Sequence, residues 1–285
     1  SGTPRIAGVS SFGVGGTNAH VILAEPPVAS ASSASHNKQL FLLSAKSKTS
    51  LDAMTDNIRA WLETHPSATL ADAAYTLQVG RRHFKHRRLI VGGSHGEVIE
   101  AIANKDAALI GTRELHEAAP GVVFMFPGQG SQYVNMGRDL CESEPVFKQH
   151  FDQCCNLFSK EFNTDLKAII FPAAGEEEKA AEQLKQTIYT QASLFTMHYS
   201  LAKLWMHWGI TPDAMMGHSI GEFAAACLAG VFTLEDAVKL VANRGRMMQD
   251  QPGGSMLSVR AAEEDVVKRL PEGCSIAANN GPQLC

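Results

Sequence analysis

The chain has 285 residues, 45% of them hydrophobic and 19% charged, with a net charge of −4. That length allows two domains or one large one, and the slight acidity gives no reason to expect nucleic acid or an anionic membrane as partner. No apolar run approaches the ~20 residues a membrane span requires, and the start of the chain lacks the basic-then-apolar pattern of a signal peptide.

Ile6-Ala7-Gly8-Val9 and Val21-Ile22-Leu23 read as short strands flanking a glycine-rich loop. This unit is too small to bury a core of its own. The loop lacks both the P-loop lysine and G-x-G-x-x-G, which argues against a phosphate cradle. Residues 27–38 are a small-residue linker. A compact α+β segment follows over about 39–113. Leu40-Phe41-Leu42-Leu43 predicts a strand. Ser50 is placed to cap a helix through Ile58, Trp61 and Leu62, and Thr69 to cap one through Ala74 and Leu77. Leu89-Ile90-Val91 predicts a second strand, with a helix over 98–103 after it. The run from Arg81 to Arg88 is strongly basic and reads as a solvated face, or as a docking point for an acidic partner.

Residues from about 120 to 252 read as a larger α/β core. Val122-Val123-Phe124-Met125-Phe126 is continuously apolar, as expected of a parallel strand buried on both faces. A helix over 191–208 carries Leu194, Met197, Leu201, Leu204, Trp205 and Trp208 on one stripe. Ala214-Met215-Met216 predicts a strand, and helices are expected over 223–228 and 234–249. From Ser255 the pattern is strand (256–259), helix (261–270), strand (274–278), the beginning of a small sheet. The six cysteines (141, 154, 155, 227, 274 and 285) have no C-x-x-C or Cys/His spacing. They read as reduced thiols, with Cys154-Cys155 packed on a helix, and no metal site is expected.

Gly217-His218-Ser219-Ile220-Gly221 is a G-x-S-x-G pattern between an apolar strand and a helix. That is the setting of a nucleophile elbow, whose glycines let the turn close and expose the serine oxygen at a helix N-terminus. Chance gives such a match in a chain this long about one time in ten, so a second motif matters. Gly128-Gln129-Gly130-Ser131-Gln132 follows the first core strand. Its flanking glycines let Gln129 present a backbone N–H to a ligand, although a plain turn fits the same residues.

A serine nucleophile needs a base. His218 is adjacent in sequence and points away, so packing under the elbow is its expected place. No histidine follows Ser219. The base is either an upstream residue such as His198 or lies beyond Cys285, and the second is favoured.

Arg244 shares a helix face with Ala237, Val241 and Met248. It needs a partner there, either a carboxylate of another element or that of a substrate. Gln191 either faces the same cleft or caps its helix.

Together these motifs resemble a modular type I polyketide synthase. The stretches 126–132, 217–222 and 243–249 are similar to the signature of malonyl-type acyltransferases. Residues 11–21 (Ser11-Phe12-Gly13 to Ala19-His20-Val21) resemble the C-terminal end of a ketosynthase, and residues 39–113 the ketosynthase–acyltransferase linker.

The resemblance implies 1–38 as a ketosynthase remnant and flexible linker, 39–118 as the linker domain, and 119–285 as the acyltransferase. The acyltransferase would have a large core to about 252 and then a truncated small subdomain. The implied fold is α/β: an α/β-hydrolase-like core with the start of a ferredoxin-like small subdomain.

The implied chemistry is ping-pong transfer of a malonyl unit from malonyl-CoA, through Ser219, to the phosphopantetheine of an acyl carrier protein. Gln129 and Ile220 would hold the oxyanion by backbone N–H, Arg244 the free carboxylate, and Gln191 and His218 would line the substrate pocket. Ile220 is expected to border the acyl pocket and to favour malonyl over methylmalonyl. No cofactor is bound and no metal is needed.

The implied partners are the carrier protein, the ketosynthase and other domains of the same synthase, with a homodimer through the complete ketosynthase and a cytoplasmic location. The ketosynthase's active residues and the acyltransferase's base histidine are absent, so impaired activity of this chain alone is expected. The alternatives are a serine hydrolase or thioesterase sharing the elbow, and an inactive scaffold fragment.

Overall fold

The computed structural model describes residues 3–26, 36–115 and 121–284. Most of the linker read over 27–38, the junction near 118 and Cys285 lie outside them. The chain divides into two compact units, 1–120 and 121–285.

The first unit opens with the antiparallel hairpin β1 (Ile6–Phe12) and β2 (Asn18–Ala24). Its turn closes through a bond from Gly13 N–H to Thr17 O at 2.9 Å, with Gly15 and Gly16 at φ +128° and +100°, values that exclude ordinary side chains. Every residue of both strands is exposed, as expected of a pair too small to make a core.

Next come β3 (Gln39–Ala45), α1 (Lys48–Thr64), α2 (Leu70–Val79), β4 (His86–Gly92), α3 (His95–Asn104) and β5 (Ile110–Glu114), with the strands ordered β3-β4-β5 in one antiparallel sheet. Alternation puts Phe41, Leu43 and Ala45 inside against Leu51, Leu62, Leu77, Ile90 and Val98.

The cap of α1 is Ser47, not Ser50: the Ser47 hydroxyl accepts the Ser50 N–H. Thr69 does precede α2, without a side-chain cap bond. Sequence reading missed β5, because Ile110-Gly111-Thr112-Arg113-Glu114 lacks an apolar alternation of its own and pairs on the strength of β4. Part of the basic run is used internally. Arg88 meets Asp52 at 2.8 Å and also donates to Thr55, and Lys85 meets Glu114 at 2.9 Å.

The second unit contains β6 (Val123–Phe126), α4 (Arg138–Ser143), α5 (Pro145–Phe162), α6 (Leu166–Ile170), α7 (Glu177–Lys185), α8 (Thr187–His207), β7 (Ala214–Gly217), α9 (Ile220–Leu228), α10 (Leu234–Gln249) and α11 (Glu263–Val267). Strands β6 and β7 are parallel, in register from Val123↔Ala214 to Phe126↔Gly217.

The core lies among α5, α8, α9 and α10, where Phe147, Phe151, Phe158 and Phe195 are wholly buried. Helix α8 runs through its centre. Its buried residues include Thr190, Gln191, Ser193, Thr196 and Ser200, while Leu201, Trp205 and Trp208 remain partly exposed. The stripe read from the sequence is therefore too narrow for the first half of the helix. Small residues are buried there because neighbours come close: a Cβ on Gly245 of α10 would lie 3.0 Å from Ile188 Cα.

Strand β6 departs from expectation. Val123 and Met125 are 51% and 71% exposed and only Phe126 is buried, because among the described residues β6 has β7 on one side alone. Its residues line an open apolar hollow of about 510 Å³ with Leu194, Leu201 and Trp205.

The strands read over 256–259 and 274–278 do not form. Met256 and Leu257 are 90% and 84% exposed, and the intervening helix shortens to α11. An extended segment is held by a ladder, and among the described residues no strand pairs with either segment.

His198 stands in the wall of the hollow. It is 8% exposed, 5.5 Å from the Phe126 ring, and its Nδ1 has no hydrogen-bond partner. Burial pushes its pKa down to about 4. The unfolded chain therefore binds a proton near pH 6.5 that the folded chain refuses, and stability falls as pH drops from about 6.5 toward 4. Between pH 7.5 and pH 5, the wild type should lose about 2 kcal/mol more than His198→Leu in urea unfolding. Equal pH dependence of the two chains would show His198 to be solvated.

Candidate active site

Strands β6 and β7 end level with one another, so the loops that leave them meet at one edge of the sheet, where open α/β sheets place their ligands. The chain leaves β7 through a turn that has no room for side chains. A Cβ on Gly217 would lie 2.1 Å from the Gly221 carbonyl carbon, and one on Gly221 would lie 2.3 Å from Phe126 O.

His218 N–H donates to Phe126 O at 2.9 Å. The Glu222 carboxylate reaches back across the turn to accept the Gly217 N–H at 2.8 Å, and Glu222 N–H donates to Ser219 O at 3.1 Å. Between these ties Ser219 sits at φ 53°, ψ −110°. Such a conformation costs a non-glycine residue about 1–3 kcal/mol and persists only where its surroundings hold it. Ser219 is exposed, at the mouth of α9. Ile220, the first residue of that helix, has an N–H with no intrahelical acceptor.

Arg244 reaches this serine from α10. Its Nη2 donates to Ser219 Oγ at 3.0 Å, and its Cζ lies 5.5 Å from the centre of the Phe223 ring. Its Nη1 is buried without a partner. Burial lowers its pKa, but a guanidinium stays charged at any working pH. Among the described residues no carboxylate lies within ion-pair distance of it, so the structural salt bridge considered for Arg244 is not found.

Gln129 lies in the exposed loop after β6. Gly128 before it abuts His218, where a Cβ would fall 2.4 Å from the ring Nδ1. Gln191 belongs to the second turn of α8 and is wholly buried, so it caps nothing. Its Nε2 lies 3.3 Å from Gln129 Oε1 and 3.1 Å from Met248 Sδ.

Ser219 and Arg244 thus come together, as do Gln129, Gln191 and Met248. Two expectations fail. His218 is exposed beside Gly128 rather than packed under the elbow. The Ile220 side chain is 0% exposed and belongs to the core, because the first turn of α9 faces inward there; it does not border an acyl pocket. His198 lines the apolar hollow and makes no bond to Ser219. Sequence reasoning missed the Glu222 tie and the Phe223 contact. Both were within reach, since Phe223 stands one helical turn beyond the serine, but only the packing of α9 on α10 brings it to Arg244. Among the described residues no group of three or more His, Cys, Asp or Glu is placed to hold a metal.

Residues 123–285 match the family model described as acyl transferase domain, and residues 39–102 match one described as CurL-like, PKS C-terminal. The chain belongs to the acyl transferase domain family. Its curated relatives are polyketide synthases. A phenolphthiocerol/phthiocerol polyketide synthase of Mycobacterium tuberculosis is 39% identical over 99% of this chain, which spans 20% of that protein's length. Mycoketide-CoA synthase of the same organism is 38% identical over 98% of the chain and 7% of its own length.

Among solved structures, the acyltransferase domain of ZmaA is 45% identical with a TM-score of 0.76, covering 83% of this chain and 54% of that one. The acyltransferase domain of SpnD, in complex with 2-(pent-4-yn-1-yl)malonyl, is 32% identical with a TM-score of 0.75, covering 89% and 59%. The α/β class read from the sequence holds for this acyltransferase.

The crowding at the elbow makes a direct prediction. In Gly221→Ala the new methyl group meets backbone, which cannot swing aside, so the thermal midpoint should fall and an active-serine phosphonate probe should no longer label Ser219. A stable, labelled variant would show that the turn has slack.

Proposed function

We propose that this chain is the acyltransferase segment of a modular polyketide synthase and loads a malonyl-type extender unit. One observation carries the reading: a half-buried, charged Arg244, whose Nη1 is buried and unused, stands 3.0 Å from the nucleophile and has no carboxylate of its own among the described residues. A guanidinium fork matches a carboxylate. An acyl group bearing a free carboxylate would supply the missing partner while its thioester carbonyl lies at Ser219. SpnD, a neighbour described as holding a malonyl derivative, supports the same class of ligand.

In this reading Ser219 Oγ attacks the thioester carbonyl of malonyl-CoA, and the backbone N–H groups of Gln129 and Ile220 stabilise the oxyanion. The C–S bond breaks and coenzyme A leaves as the thiol. The phosphopantetheine thiol of an acyl carrier protein then attacks the acyl-serine ester, and the serine hydroxyl returns. Gln191 and His218 flank the Gln129 loop in this scheme. With its side chain in the core, Ile220 no longer ranks malonyl above methylmalonyl.

Residues 119–285 are read as the acyltransferase, 39–118 as the linker domain and 1–38 as the end of a ketosynthase. The carrier protein and the other synthase domains are its partners, and the dimer forms through the ketosynthase. A serine hydrolase would leave Arg244 without a task.

The chain spans about a fifth of the length of the first relative named above, so the tests use the full-length protein. Removing one partner of a buried charge pair costs roughly 2–5 kcal/mol. Arg244→Ala should therefore lower kcat/KM for malonyl-CoA roughly thirty-fold or more, with a much smaller effect on acetyl-CoA. Equal losses for the two substrates would return Arg244 to a structural role.

The base is assigned outside the described residues, because no histidine among them hydrogen-bonds Ser219 Oγ. His198→Ala should then leave the rate of transfer by the full-length protein unchanged. A loss of ~10²–10⁴-fold in a folded His198→Ala variant would make His198 the base.

A further inference from the structure

Arg244 poses a charge problem that its neighbours solve in an unusual way. A guanidinium carries five N–H donors. Here it has one acceptor, Ser219 Oγ, and one nitrogen, Nη1, buried without any. An aspartate or glutamate at this place would neutralise it, but would also occupy the fork.

What lies against it instead is the ring of Phe223, with Cζ 5.5 Å from the centroid, inside the ~6 Å range of a cation–π contact. A ring face stabilises a cation through its quadrupole and consumes no N–H donor. Phe223 is itself anchored, half-buried against the core of the second unit. It also shares helix α9 with the nucleophile, so the ring and Ser219 are fixed relative to one another.

We infer that Phe223 is a specificity-determining positioning residue: its ring holds the Arg244 guanidinium beside Ser219 with no carboxylate in the fork, ready for that of the incoming acyl group. The inference rests on the carboxylate reading of Arg244. The ring does not touch the reacting atoms and acts through the arginine. Its effect should therefore appear in the choice between acyl groups with and without a carboxylate.

The test is a competition between malonyl-CoA and acetyl-CoA in the full-length protein. The ratio of the two adducts on Ser219 is read by mass spectrometry. The ratio does not depend on how much protein is folded, so a destabilised variant remains informative. Phe223→Leu keeps apolar bulk and removes the quadrupole. It should lower the malonyl-to-acetyl ratio roughly three- to thirty-fold, with the loss in KM for malonyl-CoA rather than in kcat. Phe223→Tyr should restore the ratio. In an Arg244→Ala background, Phe223→Leu should change nothing further, because the arginine it positions is gone.

An unchanged ratio in Phe223→Leu, or the same shift with and without Arg244, would overturn the inference. If Arg244→Ala itself leaves the ratio unchanged, the carboxylate reading falls. If Arg244→Ala collapses the ratio and Phe223→Leu does not, only the role of Phe223 falls.

Discussion

The site depends on a shortage of space where β7 turns into α9. Gly217 and Gly221 are pressed against backbone so closely that neither could carry a Cβ, and Phe126 O lies in the same gap. With both flanks fixed, Ser219 is driven into a conformation that a free serine would avoid. The strain is held by bonds that cross the turn, one of them accepted by the side chain of Glu222. The result is a hydroxyl exposed at a helix N-terminus, where the helix dipole favours negative charge developing nearby.

The second constraint is electrostatic. Desolvating a charge without a partner is costly, and the fold accepts part of that cost at half-buried Arg244, while several other cations have ordinary partners. Arg88 meets Asp52, Lys167 meets Asp152, and Arg246 packs over Phe162 and donates to Glu161 O. Arg246 is two residues from Arg244 on the same helix and also donates to Asn243 Oδ1 at 3.1 Å. Arg244, by contrast, has no carboxylate partner among the described residues. Since α10 also packs on α8 with Gly245 at close approach, small movements of this helix would shift the guanidinium relative to the serine.

Local chemistry was legible in the sequence. The G-x-S-x-G pattern between an apolar strand and a helix gave the elbow, and helical spacing put Arg244 on the apolar face of 234–249, the range that α10 occupies. Properties set by distant neighbours were not legible. An apolar run at 122–126 says that a strand forms, but its exposure depends on how many strands stand beside it. Ile220 follows the serine in sequence, yet the first turn of α9 rotates its side chain into the core, away from the cleft. The polar residues buried along α8 broke the expected stripe, because close helix packing selected small side chains over apolar ones. Phe223 took its meaning only from the crossing of two helices.

The central claim is that the strained serine at position 219 is the atom that carries the acyl group. The direct measurement is peptide-level mass spectrometry of the full-length protein after brief exposure to malonyl-CoA without carrier protein. The account requires a single malonyl ester on the peptide that contains Ser219, lost in Ser219→Ala and discharged when a pantetheine thiol is added. A malonyl adduct on another residue, or one that persists in Ser219→Ala, would contradict it.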